Sequence, residues 1–175
     1  CNRLKDLDPL RHAHGATTMT IERCDSLWSL PFPGFVHHLE ECWLSNLPAL
    51  GSLDPLAAMD DLQVLHLETL PVDLDYSPLG RLTNLTDLTL QELPLTELPD
   101  LTANVFLDRL ELTRMGQLAS LEGLAFPYLR TLRLQKGPRP TTLAGVGPCR
   151  SLEQLDLNDC DGLTRLDFTA DPSAT

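Results

Sequence analysis

A period of 22 or 23 residues runs through the chain and constrains its fold more than any other feature. Leu62, Leu65, Leu67 and Leu70 set the pattern, with Val64, His66 and Glu68 interleaved. Alternation of apolar and polar residues through 64–68 predicts a short strand with one buried and one open face. Copies of this unit start at residues 16, 39, 62, 85, 107, 129 and 152, at spacings of 23, 23, 23, 22, 22 and 23. Five residues cannot hold a strand alone. Stacked copies share one core, and each is stabilised by its neighbours.

The stretches between these units carry apolar residues about three apart, as at Leu50, Leu53, Leu56 and Met59. That spacing predicts 3₁₀ turns or a short helix facing the core. Leu27, Leu30, Phe32 and Phe35 repeat the theme, but Pro31, Pro33 and Gly34 forbid a long helix there. Residues 71–84 and 94–106, with Pro71, Pro78, Pro94 and Pro99, read as extended connections. Residues 116–128 read as one or two helical turns, and 137–151 as the loosest segment.

The motif L-x-x-L-x-L-x-x-L, with 40 leucines in 175 residues, resembles the leucine-rich repeat family over nearly the whole chain. The resemblance implies an α/β solenoid with a parallel concave β-sheet and an irregular or 3₁₀ convex side. It implies one domain over 1–175, with a partial repeat in 1–15. The family's last motif position carries Asn or Cys. Here it holds Cys24, Leu47, Leu70, Leu93, Met115, Gly137 and Cys160, so no asparagine ladder can form and other hydrogen bonds must close the turn. The leucine-dense units with Leu-Pro breaks are also similar to C-terminal repeat arrays of bacterial NACHT- or STAND-type NTPases. That likeness implies a sensing or autoregulatory array next to an upstream domain of the same polypeptide. No G-x-x-x-x-G-K-[ST] motif is present. A first repeat without its strand or a polar cap predicts a fragment of a larger protein, or a partner over that edge.

A net charge of −12 argues against nucleic acid or an anionic membrane as the main partner. No apolar run reaches a membrane-spanning length. Cys24, Cys42 and Cys160 fall on apolar positions, which predicts buried thiols and a reducing, cytoplasmic setting.

Function must then lie on the open faces of the strands. Their phase writes three rows: Thr18, Glu41, Val64, Asp87, Arg109, Thr131, Gln154; then Thr20, Trp43, His66, Thr89, Glu111, Arg133, Asp156; then Glu22, Ser45, Glu68, Gln91, Thr113, Gln135, Asn158. Expected protein-binding residues are Glu41, Trp43, Val64, His66, Glu68, Asp87, Arg109, Glu111, Arg133 and Asp156. Trp43 points off the core as an interface anchor. The alternative is that it packs over its neighbours. The acidic first half and basic fifth and sixth repeats fit a partner of complementary charge, or a self-compensating solvated face. A small anion under Arg109 and Arg133 is a lesser alternative.

His12, His14, His37 and His38 are the one metal-like grouping, read as a surface cluster rather than a site. No cofactor motif and no G-x-S-x-G elbow occurs, and His66 beside Glu41 and Glu68 sits on too open a face for acid–base work. The reading is a non-catalytic protein-binding module. Its rivals are a regulatory array of a larger NTPase and a purely structural packing domain.

Overall fold

The computed structural model describes residues 1, 3–7, 15–30, 38–121, 124, 126–137, 143, 146 and 149–163. Among these are seven five-residue strands: β1 (Thr18–Glu22), β2 (Glu41–Ser45), β3 (Val64–Glu68), β4 (Asp87–Gln91), β5 (Arg109–Thr113), β6 (Thr131–Gln135) and β7 (Gln154–Asn158). They form one parallel sheet in chain order. Each strand pairs with the next at the same motif position: Leu65 opposite Cys42 and Leu88, Leu67 opposite Leu44 and Leu90. Register therefore equals period, and each motif position becomes a straight row across the sheet. The inward rows are leucine-rich and fully buried from β3 to β6. On β7, Leu155 and Leu157 are only half-buried.

The returning segments form the other layer as 3₁₀ turns. Leu56, Met59 and Leu62 each donate a backbone N–H to the carbonyl three residues earlier, at 2.9, 2.9 and 3.1 Å. Leu79, Leu82 and Leu85 repeat this at 3.1, 3.2 and 3.1 Å. A 3₁₀ turn eclipses residues i and i+3, so an apolar residue at every third position lines one buried edge. Two stretches qualify as 3₁₀ helices, Asp54–Ala58 and Ser77–Arg81, each with proline in its first turn. The second corrects the extended reading of 71–84. Pro78 sits where no N–H is needed and its fixed φ favours the turn, so it starts this element rather than preventing one. Residues 94–106 contain isolated turns. In 116–128 the described residues show single turn bonds, such as Leu118 to Met115, and no helix. Phe32 and Phe35, most of 137–151 and everything after 163 lie outside the described residues.

The missing asparagine ladder has a backbone replacement. The residue after each strand, namely Arg23, Asn46, Thr69, Glu92, Arg114, Lys136 and Asp159, is left-handed, with φ between 48° and 54°. Such a conformation costs a non-glycine residue about 1 kcal/mol. It turns the chain off the sheet. The N–H of each residue from Arg23 to Lys136 still reaches the last strand residue of the next repeat, as in Asn46 to the Glu68 carbonyl at 3.0 Å. At Cys24, Leu47, Met115 and Cys160 the motif's final residue then accepts a turn bond, as Leu47 does from Leu50 at 3.2 Å. Cys24 and Cys160, which occupy that final position, also point thiols at carbonyls of Glu22 and Leu134, both at 3.4 Å.

Gly80 lies in the second 3₁₀ helix, and a Cβ there would collide with the backbone oxygen of Asp100 in the next repeat. Backbone cannot swing aside as a side chain does. Gly80→Ala is expected to destabilise by about 2 kcal/mol and lower the melting temperature by roughly 4–8 °C. Gly116→Ala meets open space and should melt with the parent chain. Equal melting of both variants would contradict this packing.

The concave face as candidate binding surface

Because the inward residues of each strand are committed to the core, the outward ones form the concave face. The register reproduces the three rows in order, about 4.8 Å between strands. Glu41, Trp43, Val64, His66, Glu68, Asp87, Arg109, Glu111, Arg133 and Asp156 all lie on this face, and none is buried. Ser45, Thr113 and Thr131 are buried, which narrows the open area. A one-dimensional phase cannot show that neighbouring side chains close over short residues.

Two clusters organise the surface. In the first, the Trp43 and His66 rings stack with centroids 4.8 Å apart and planes 24° from parallel. Trp43 keeps 39% of its surface open. Below the stack, the Glu68 carboxylate accepts hydrogen bonds from Ser45 Oγ at 2.8 Å and from Gln91 Nε2, with His66 Nε2 at 3.8 Å. These bonds tie Ser45, Glu68 and Gln91 together across three strands, beside the ring pair. The tryptophan both packs on a neighbour and presents a free face, so the two readings of it are not exclusive.

In the second cluster, the Arg133 guanidinium bridges Asp156 at 3.0 Å and Glu111 at 3.3 Å across three strands. Asp156 and then Glu111 push its pKa further above its ordinary value. Arg109 pairs with Asp87 at 3.2 Å. Arg133 is thus held between two carboxylates, which disfavours an anion beneath it, whereas Arg109 has a single exposed partner.

The rim after the strands carries a related chain, in which Glu92 accepts from Arg114 and from Thr69 Oγ1 at 3.2 Å. Arg114 first, and Thr69 to a lesser extent, hold the Glu92 carboxyl below its usual range. Its stabilisation is therefore present above the unfolded pKa of about 4.3 and lost as pH falls through the lower folded value. Glu92→Gln should cost a few tenths of a kcal/mol at pH 7, the scale of an exposed pair. It should cost nothing once both carboxyl states are protonated. Urea unfolding at the two pH values checks this, and a difference that persists in acid would contradict it.

Sequence reasoning passed over two exposed aromatic features. Phe106 and Tyr128 stack on the rim ahead of β5 and β6, with centroids 6.4 Å apart. Their separation of 22 residues is the repeat period, and that was the available signal. Trp28, 59% exposed, lies in the connection after β1, away from the concave rows. His38 bonds Asp61 at 3.1 Å, while His12, His14 and His37 lie outside the described residues. Among the described residues no group of three or more His, Cys, Asp or Glu side chains could hold a metal ion. Nor is any described helix long and apolar enough to cross a membrane.

Solved structures match this arrangement. The leucine-rich repeat domain of the type III effector XopL superimposes with a TM-score of 0.71 over 93% of this chain, at 24% identity. The chain has the leucine-rich repeat fold. The functional domain of InlJ from Listeria monocytogenes, which includes a cysteine ladder, matches with a TM-score of 0.53 over 95% of this chain, at 19% identity. This leucine-rich repeat chain spans 60% of the XopL domain and 45% of the InlJ domain. No family model and no curated protein matches it. These likenesses show the fold, and on this fold the outward rows of the sheet form a side-chain-rich face.

Proposed function

We propose that this chain is a non-catalytic module that binds a protein through its concave face. The observation that carries the reading is the Trp43–His66 stack. A large aromatic stacks on its neighbour and still presents a free face in the middle row of the outward side of the sheet, on β2. Pre-ordered aromatic surface loses little conformational entropy on binding, which is why tryptophan dominates interface centres. Glu41, Val64, Glu68 and Asp87 surround it on the acidic side, while Arg109, Glu111, Arg133 and Asp156 carry mixed charge further along. A partner with a matching charge order would dock in one direction. The shallow open face excludes little water, which supports recognition rather than chemistry.

The test is capture from host lysate by the chain, by its Trp43→Ala, Arg133→Glu double variant, and by Trp28→Ala. Loss of one defined protein by the double variant alone supports the reading. Retention of every captured protein by the double variant overturns it.

A further inference from the structure

We propose that the rim ahead of β2–β6 is a second docking surface, shaped for an extended, arginine-bearing segment of a protein partner. The feature that sets this rim apart is the Phe106–Tyr128 pair. The two rings stack with planes 12° apart and leave 54% and 57% of their surfaces exposed. Two aromatic side chains held open side by side are not a core element, because their faces contact water. Phe106 forms one wall of an open groove of about 790 Å³, and the other walls carry the carboxylates of Glu40, Asp61, Asp87 and Asp108.

Charge complementarity names the occupant. A guanidinium is the one side chain that both stacks on an aromatic face and forks onto a carboxylate. The groove supplies both partners within neighbouring repeats. Its existing ion pairs do not block it. Asp61 faces His38 at 3.1 Å, Asp87 faces Arg109 at 3.2 Å, and Asp108 faces Arg130 at 3.5 Å, all with solvent-exposed side chains. Exposed pairs of this kind hold by about 1 kcal/mol or less, so an incoming guanidinium exchanges with them at small penalty. Glu40 makes no ion pair among the described residues. The net charge of −12 adds long-range attraction for a cationic segment. Five strands at about 4.8 Å separation span roughly 19 Å, which an extended segment of about six residues covers.

This rim shares only Asp87 with the concave surface, and the proposal stands whether or not that surface binds a protein. The experiment is fluorescence anisotropy with a labelled nine-residue peptide of alternating arginine and serine. A lysine–serine peptide and a glutamate–serine peptide serve as comparisons. The expected order of affinity is arginine above lysine, with no binding of the glutamate peptide. Phe106→Ser, Tyr128→Ser together should weaken the arginine peptide about tenfold, and Glu40→Gln, Asp61→Asn should do so as well. All four residues are exposed, and circular dichroism checks that both variants fold. Trp43→Ala should leave the affinity unchanged. Binding unaffected by the aromatic double variant would overturn the proposal by reducing the attraction to bulk charge. Loss of binding in Trp43→Ala would overturn it by moving the peptide onto the concave face.

Discussion

Leu67→Ala is expected to lower the unfolding free energy by about 3–4 kcal/mol, the largest effect of any single truncation proposed for this chain. Leu67 is fully buried on β3 and stands in register with Leu44 on one side and Leu90 on the other. Truncation removes the transfer free energy of the lost carbons and leaves a cavity. Here the cavity opens into the packing of three repeats at once. In a solenoid the stability of each unit is largely its interfaces with the units beside it, so a central leucine supports two interfaces and a terminal one only one. Leu157→Ala on β7, where the side chain is half-buried, should cost roughly 1–1.5 kcal/mol by the same reasoning. Urea unfolding measures both. With a slope of about 2–3 kcal/mol per molar urea for a chain of this size, Leu67→Ala should lower the midpoint by more than 1 M and Leu157→Ala by about half that. Equal shifts would contradict the nearest-neighbour account.

Asn104→Ala is expected to cost about 2–3 kcal/mol, although the residue lies in a connection outside the strands. Its side chain is fully buried, and Nδ2 donates to the carbonyls of Leu79 at 3.1 Å and Leu82 at 2.7 Å in the preceding repeat. Those carbonyls belong to the second 3₁₀ helix and its C-terminal cap. One amide therefore ties two successive turns of the convex layer together, doing on that side what the left-handed residues do at the end of each strand. Each lost bond contributes about 1 kcal/mol, and the vacated volume adds to it. Asn104→Asp sharpens the test, because it keeps the shape but aims a carboxylate at two carbonyl oxygens. Burial and those carbonyls should raise the folded pKa of the new acid above its unfolded value of about 3.9. The penalty is then full at pH 7 and shrinks as pH falls through the raised value, where a proton can be donated instead. Chemical denaturation at pH 7 and pH 4 should show Asn104→Asp below Asn104→Ala at the first and gaining on it at the second. A variant with no pH dependence relative to Ala would remove Asn104 from this role.

Much of the sheet is legible in the sequence because parallel pairing converts period into register. Leu65 and Leu67 alternate with His66, and a 23-residue step carries each onto its equivalent. The rows containing Trp43, His66 and Arg133 could therefore be written without a structure. What was not legible depends on neighbours rather than on spacing. Pro78 reads as a breaker along the chain, yet its place at the first turn makes it a starter. Ser45 and Thr113 share a phase with the open Glu68 but are short, and longer neighbours cover them. The turn after each strand shows no glycine or asparagine signature, except at Asn46, because its left-handed residues are held by inter-repeat bonds and not by local preference. Phe106 and Tyr128 precede their strands, outside the leucine motif, although their spacing equals the period.

The two tryptophans of the chain allow the central claim to be read directly. Trp43 sits in the middle row of the concave face, on β2, and Trp28 lies off that face, and both are accessible in the free chain, at 39% and 59%. Hydroxyl-radical oxidation of each, quantified by mass spectrometry with and without the captured partner, is the measurement to make. Recognition through the concave face requires Trp43 to become protected several-fold while Trp28 oxidises at its free rate. Protection of Trp28 with Trp43 unchanged would place the partner on the convex side and contradict the account.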